Sequence, residues 1–136
     1  MHETTTAELE RYAELQGQAI QAARDGNDEL LGVMLDAGMP VNLSDESGNT
    51  LLMLAAYHGN TSSVALLLAK EADTEKRNQR GQTPLGGVSF KGYPEIARLL
   101  VEHGADVTAD QGGGQTPIQF ASMFGHREIV EYLQGL

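Results

Sequence analysis

The chain has 136 residues, 40% of them hydrophobic and 5% aromatic, with no Trp, which suits one domain or one short array and argues against disorder. Its formal net charge of −10 excludes a nucleic-acid backbone or an anionic membrane as the expected partner, since both need a positive face. The absence of Cys excludes disulfides and thiolate metal sites, and no stretch approaches the roughly 20 apolar residues of a membrane-spanning helix.

The acidity is uneven. Residues 1–47 hold ten acidic and two basic side chains, a balance of −8, whereas residues 48–136 hold nine and seven, a balance of −2. The first ten residues carry neither a basic region nor an apolar run, so no signal peptide is expected and the cytoplasm is the expected compartment.

In chain order, Thr5-Thr6-Ala7-Glu8 reads as a capping box that opens a helix. Leu9, Tyr12 and Ala13 share one face of it, so residues 1–14 are expected to lengthen the first helix and cover the open N-terminal end of the fold. From there on the chain repeats itself. Gly26, Gly59, Gly92 and Gly125 stand 33 residues apart, as do Gly48, Gly81 and Gly114, and Thr50, Thr83 and Thr116. A fixed period of this size marks a stack of supersecondary units. It divides the chain into 15–47, 48–80, 81–113 and 114–136. Each unit is expected to run turn, short helix, turn, longer helix, extended tip.

The first helix of a unit starts at Thr50, Thr83 or Thr116, where a hydroxyl can accept a bond from an early helix N–H. Pro84 and Pro117 follow at a position where a missing N–H costs nothing. Small pairs come next (Ala22-Ala23, Ala55-Ala56, Val88-Ser89, Ala121-Ser122), which let neighbouring units approach closely, and then the glycines break the chain. The second helix shows one apolar face: Leu30, Leu31, Met34 and Leu35, with equivalents Ser63, Val64, Leu67, Leu68, then Ile96, Ala97, Leu100, Val101, then Ile129, Val130, Leu133, Gln134. Charged residues such as Glu95, Arg98 and Glu102 occupy the opposite face.

The segment Gly48-Asn49-Thr50-Leu51-Leu52-Met53-Leu54-Ala55-Ala56-Tyr57-His58-Gly59-Asn60 resembles the ankyrin repeat. So do Gly81-Gln82-Thr83-Pro84-Leu85, Gly114-Gln115-Thr116-Pro117-Ile118, and the unit ending His103-Gly104-Ala105-Asp106-Val107. The resemblance runs from residue 15 to residue 136. It implies an all-α ankyrin-repeat solenoid of four helix-turn-helix units with extended, hairpin-like tips. Solenoids of this kind present a concave binding surface.

Three departures from the family pattern stand out. The His that usually follows Thr-Pro-Leu is replaced by Met53, Gly86 and Gln119, which implies an array with fewer loop-to-loop hydrogen bonds. Gly86-Gly87 falls inside a first helix, read either as drift in a short helix, as a niche opened in the concave wall, or as a hinge. Glu71 occupies the place of Gly38 and Gly104, where a left-handed residue ends the helix, and is expected to be strained by roughly 1 kcal/mol.

The family's binding positions, carried over residue by residue, are the tips and the exposed side of the first helices. They give an apolar stripe of Leu54, Tyr57, Phe90, Phe120, Met123 and Phe124, joined by His58 and Lys91. Exposed aromatic clusters tend to mark interfaces. Against this stands packing of Phe120 and Phe124 under the C-terminal edge, and packing of Tyr57 with Phe90 in place of exposure. Arg77 and Arg80, with Lys76, add a basic island that Lys91 faces, suited to an acidic, partly apolar partner segment or else neutralised by Glu46 and Glu75.

No catalytic constellation is found. The four His residues do not converge with acids, the Ser residues lack a His and acid at motif spacing, and Gly112-Gly113-Gly114 lacks the Lys of a phosphate loop. The expected function is that of a non-enzymatic, monomeric protein-interaction module, an adaptor or scaffold without cofactor or metal. A dedicated inhibitor or regulatory subunit of one enzyme is the alternative, and a small-molecule binder using the Gly86-Gly87 niche is a third reading.

Overall fold

The structure, a computed structural model, describes residues 5–136. Among them are eight α-helices: α1 Thr6–Asp25, α2 Asp28–Asp36, α3 Leu51–Tyr57, α4 Thr61–Ala69, α5 Pro84–Lys91, α6 Pro94–Glu102, α7 Pro117–Met123 and α8 Arg127–Gln134. They pair in sequence as four hairpins. The odd-numbered helices pack on one another to form one layer, and the even-numbered helices form a second. The solenoid expected from the 33-residue period is the one observed.

Side-chain caps begin several helices. Thr5, Thr50 and Thr83 accept bonds from the N–H groups of Glu8, Met53 and Gly86, and Thr116 forms a capping box with Gln119. The tips are tight hairpin turns rather than strands. Each closes through the same backbone bond, from Asp45 N–H to the Asn49 carbonyl, from Asn78 to Gln82 and from Gln111 to Gln115.

The core lies between the layers. Leu31, Leu51, Leu67, Leu85, Leu100 and Ile129 are all buried, joined by the small residues Ala23, Ala56 and Ala121. The second-helix stripe read from the sequence is buried at twelve of its sixteen positions. Val101 and Val130 are partly buried against the core, Leu30 is 36% exposed because no unit precedes it, and Gln134 faces solvent.

Gly26 and Gly92 show why glycine stands between the two helices of a unit. Both adopt a left-handed backbone, with φ of 72° and 87°. Each is also the seat for a side chain from the next unit. Asn60 lies over Gly26 and donates to the carbonyls of Ala23 and Arg24, both at 2.9 Å. The His126 ring lies where a Gly92 Cβ would be, and its Nε2 is 2.8 Å from the Phe90 carbonyl.

Two expectations are corrected. Residues 1–4 of the expected N-terminal cover lie outside the described residues; the rest is one continuous helix with the first unit, but Leu9 and Tyr12 remain 58% and 45% exposed. Residues 6–14 of α1 are exposed, so the apolar face expected there is not buried against the stack. Nor does the third unit hold an open niche. An added Cβ at Gly86 would sit 1.9 Å from Gln111 Oε1, and one at Gly87 would sit 2.2 Å from the Tyr57 ring. Both glycines are sockets for side chains from elsewhere.

Gln111 fills the first socket. It accepts the Thr83 N–H at 2.8 Å and donates to Thr83 Oγ1 at 3.0 Å and to the Ala109 carbonyl at 2.9 Å. The loop-to-loop link that the resemblance assigns to a His at position 86 is therefore made in the third unit from the opposite side. Asp45 and Asn78, the equivalents of Gln111, are one methylene shorter; Asp45 bonds within its own tip and to Arg24 of α1, and Asn78 within its own tip and to Asn49 of the tip before it. Glu71 does adopt the left-handed conformation expected of it, with φ of 64°.

Candidate functional site

A cleft of about 620 Å³ lies between the hairpin tips and the odd-numbered helices. Tyr57, Gly87, Phe90 and Lys91 form its helical wall. The facing wall comes from the tips of the first and second units: Ser47, Asn49, Asn78, Gln79, Arg80 and Gln82. The helical wall was legible from the equivalent positions in each unit. The amide-rich wall was missed, although its signal was present in the tip segments that flank Gly48 and Gly81.

The aromatic residues expected on this face divide into two groups. Phe90 at the end of α5 and Phe124 at the end of α7 are 44% and 48% exposed, and their rings meet edge to face with centroids 4.5 Å apart. Met123 is 57% exposed and Phe120 is partly buried one turn earlier. Phe124 is thus not hidden under the C-terminal edge. The pair forms an apolar ridge that spans two units.

Leu54 and Tyr57 do not belong to an exposed stripe. Leu54 is 4% exposed, because α3 has helices on both flanks, α1 and α5, which cover its sides. Tyr57 lays its ring into the space left by Gly87, and its hydroxyl donates to the Thr83 carbonyl at 3.3 Å. Burial pushes the Tyr57 phenol well above the usual tyrosine range, since a phenolate would lose its hydration there. Tyr57 is therefore first a packing residue between units and only at its edge a lining residue.

The charged candidates also separate. Arg77 spends its guanidinium on the carbonyls of Gly81 and Asp110, bridging two tips, and Lys76 donates to the Asn42 carbonyl at 3.2 Å. His58 is exposed, with Nδ1 2.8 Å from the Leu54 carbonyl of its own helix. Arg11, Arg24 and Lys70 are in ion pairs with Glu14, Asp45 and Asp36, and Arg98 lies 5.5 Å from the Tyr132 ring centroid. The Arg80 guanidinium and the Lys91 ammonium make no hydrogen bond or ion pair with the described residues, and both line the cleft. Glu46 and Glu75 do not neutralise them; Glu75 accepts the Asp106 N–H, and the Glu46 carbonyl accepts from Gln79.

Among the described residues no group of three or more His, Asp and Glu side chains is placed to hold a metal ion. No helix there is long and apolar enough to cross a membrane.

Comparison with known proteins agrees with this architecture. A family model described as ankyrin repeats (3 copies) matches residues 19–111 and 80–135. The chain belongs to the ankyrin repeat family, whose members are in general protein–protein interaction modules. It is also similar to a Pseudomonas aeruginosa protein that carries the name ankyrin repeat protein PA3287, with 45% identity over 47 residues. That match covers 35% of this chain and 28% of the relative, so the two share a segment and not a whole length.

Proposed function

We propose that this chain acts as an adaptor or scaffold that binds a partner protein on its concave face, without catalysis of its own. The observation that carries the reading is the exposed edge-to-face pair of Phe90 and Phe124 beside the unpaired Arg80 and Lys91. Large aromatic surface left in water is costly, and an aromatic ridge with adjacent cations has the composition of an interface centre. The chain is taken to work as a monomer in the cytoplasm.

Tyr57 is unsuitable for testing this reading, because truncating it would loosen the contact between units. The test is affinity capture from native lysate, read by mass spectrometry, with wild type beside Phe90→Ala, Phe124→Ala. A protein retained by wild type and lost by the variant, with helical circular dichroism unchanged, supports the concave site. Equal retention by both would overturn it, as would the absence of any specific protein in the wild-type lane.

A further inference from the structure

The cleft wall has a composition unlike the rest of the chain. The protein carries 19 acidic residues, yet none of those among the described residues lines this cleft. Of its nine basic residues, six are held by carboxylates, backbone carbonyls or an aromatic ring; two of the remaining three, Arg80 and Lys91, face this one cavity. Low-dielectric walls focus the field of such charges, so two cations in a concavity act more strongly on an anion than two on an open surface. The Gln82 side chain adds an amide N–H₂ that makes no hydrogen bond to the described residues, its oxygen being taken by Asn78. At the edge of the cleft Phe90 continues into the ridge with Phe124.

We propose that this cleft takes an acidic peptide segment of a partner protein, with carboxylates on Arg80 and Lys91 and an adjoining aromatic or branched aliphatic side chain on Phe90 and Phe124. The inference rests on the reading of the concave face as a protein-binding surface and names the chemistry of what binds there. Charge complementarity selects this occupant. A nucleic acid would need a track of cations along its phosphates, and only two are free here in a chain of net charge −10. A second copy would have to bring its own acidic N-terminal third, of balance −8, against a protein of the same sign.

The test is selection of random dodecapeptides displayed on phage against the full chain. Binders are then synthesised and measured by fluorescence anisotropy and by chemical-shift mapping. The expected binders are enriched in Asp or Glu next to Phe, Trp, Leu or Ile. They shift the resonances of Phe90 and Phe124, and bind roughly tenfold or more weakly to Arg80→Ala, Lys91→Ala. Both side chains are exposed, and unchanged circular dichroism of the variant establishes that it is folded. Binders without acidic enrichment that still shift Phe90 and Phe124 would overturn the peptide chemistry and leave the concave site standing. Binders that shift neither ring would overturn both. Acidic binders whose affinity is unchanged in the variant, or a selection that yields none, would overturn the proposal, as would concentration-dependent dimerisation that competes with the peptides.

Discussion

Replacing Gly87 by Ala sets helix propensity against packing, and the two predict opposite signs. In a helix interior Ala is favoured over Gly by roughly 0.8–1 kcal/mol, so an isolated α5 would gain from the change. In the folded stack the new methyl group would lie 2.2 Å from Tyr57 Cε1, 2.3 Å from Cζ and 2.5 Å from the hydroxyl oxygen. The neighbour is a rigid ring at the end of α3, and both helices are held in their layer, so relief requires the ring to swing into the cleft. It then loses its bond to the Thr83 carbonyl at 3.3 Å and its contact with the core. Overpacking of this kind costs about 1–3 kcal/mol. After the propensity gain the net destabilisation is roughly 0–2 kcal/mol. The assay is urea unfolding followed by far-ultraviolet circular dichroism for wild type, Gly87→Ala, Tyr57→Ala and the double variant. Gly87→Ala is expected to lower the midpoint of wild type but to leave it unchanged or raise it when Tyr57 is already Ala. The coupling between the two positions is then about 2 kcal/mol. A rise in midpoint in the wild-type background, or the same loss in both backgrounds, would refute the socket reasoning.

Gln111→Ala leaves the N–H of Thr83, a residue 2% exposed, without its acceptor and takes one of two donors from its hydroxyl, which keeps the Gly86 N–H; it is expected to cost about 1–3 kcal/mol with faster amide exchange at the start of α5. Unchanged exchange at Gly86 and Gly87 would show that the link is dispensable. Glu71→Gly relieves a left-handed residue and is expected to raise the thermal midpoint by an amount equivalent to roughly 0.5–1 kcal/mol; a fall would mean that the site is unstrained. The Tyr57 phenol is raised above its ordinary 10.0 by burial, so its contribution to stability is intact below that value. It declines at higher pH, because the unfolded chain releases a proton that the folded chain retains. Tyr57→Phe should therefore flatten the alkaline fall in stability measured by denaturant titration, and an identical slope in both proteins would count against burial as the cause.

The period, the Thr caps and the second-helix stripe could be read without coordinates because they are local: 3.6-residue geometry places Leu31, Met34 and Leu35 on one face whatever their neighbours. The same equivalence put Phe90 and Lys91 on one face, where both line the cleft, and Phe124 where its ring meets Phe90. It failed for Leu54 because exposure at a repeat position depends on the flanking helices, and α3 has one on each side. Arg77, read as part of a basic island in the tips, reaches the next tip and bonds the Asp110 carbonyl there.

By itself the sequence determined the fold, since a 33-residue period with Thr and Gly at fixed places marks a stack of like units, and the resemblance to the ankyrin repeat implies which unit is stacked. Tertiary structure decided the meaning of the exceptions. Gly86 and Gly87 read as weakness in a helix, but they are filled by Gln111, 25 residues after Gly86, and by Tyr57, 30 residues before Gly87. Propensity counts a residue against its own helix, whereas packing counts it against whatever the stack brings to its side. A missing side chain is therefore a vacancy in the sequence and a contact in the fold.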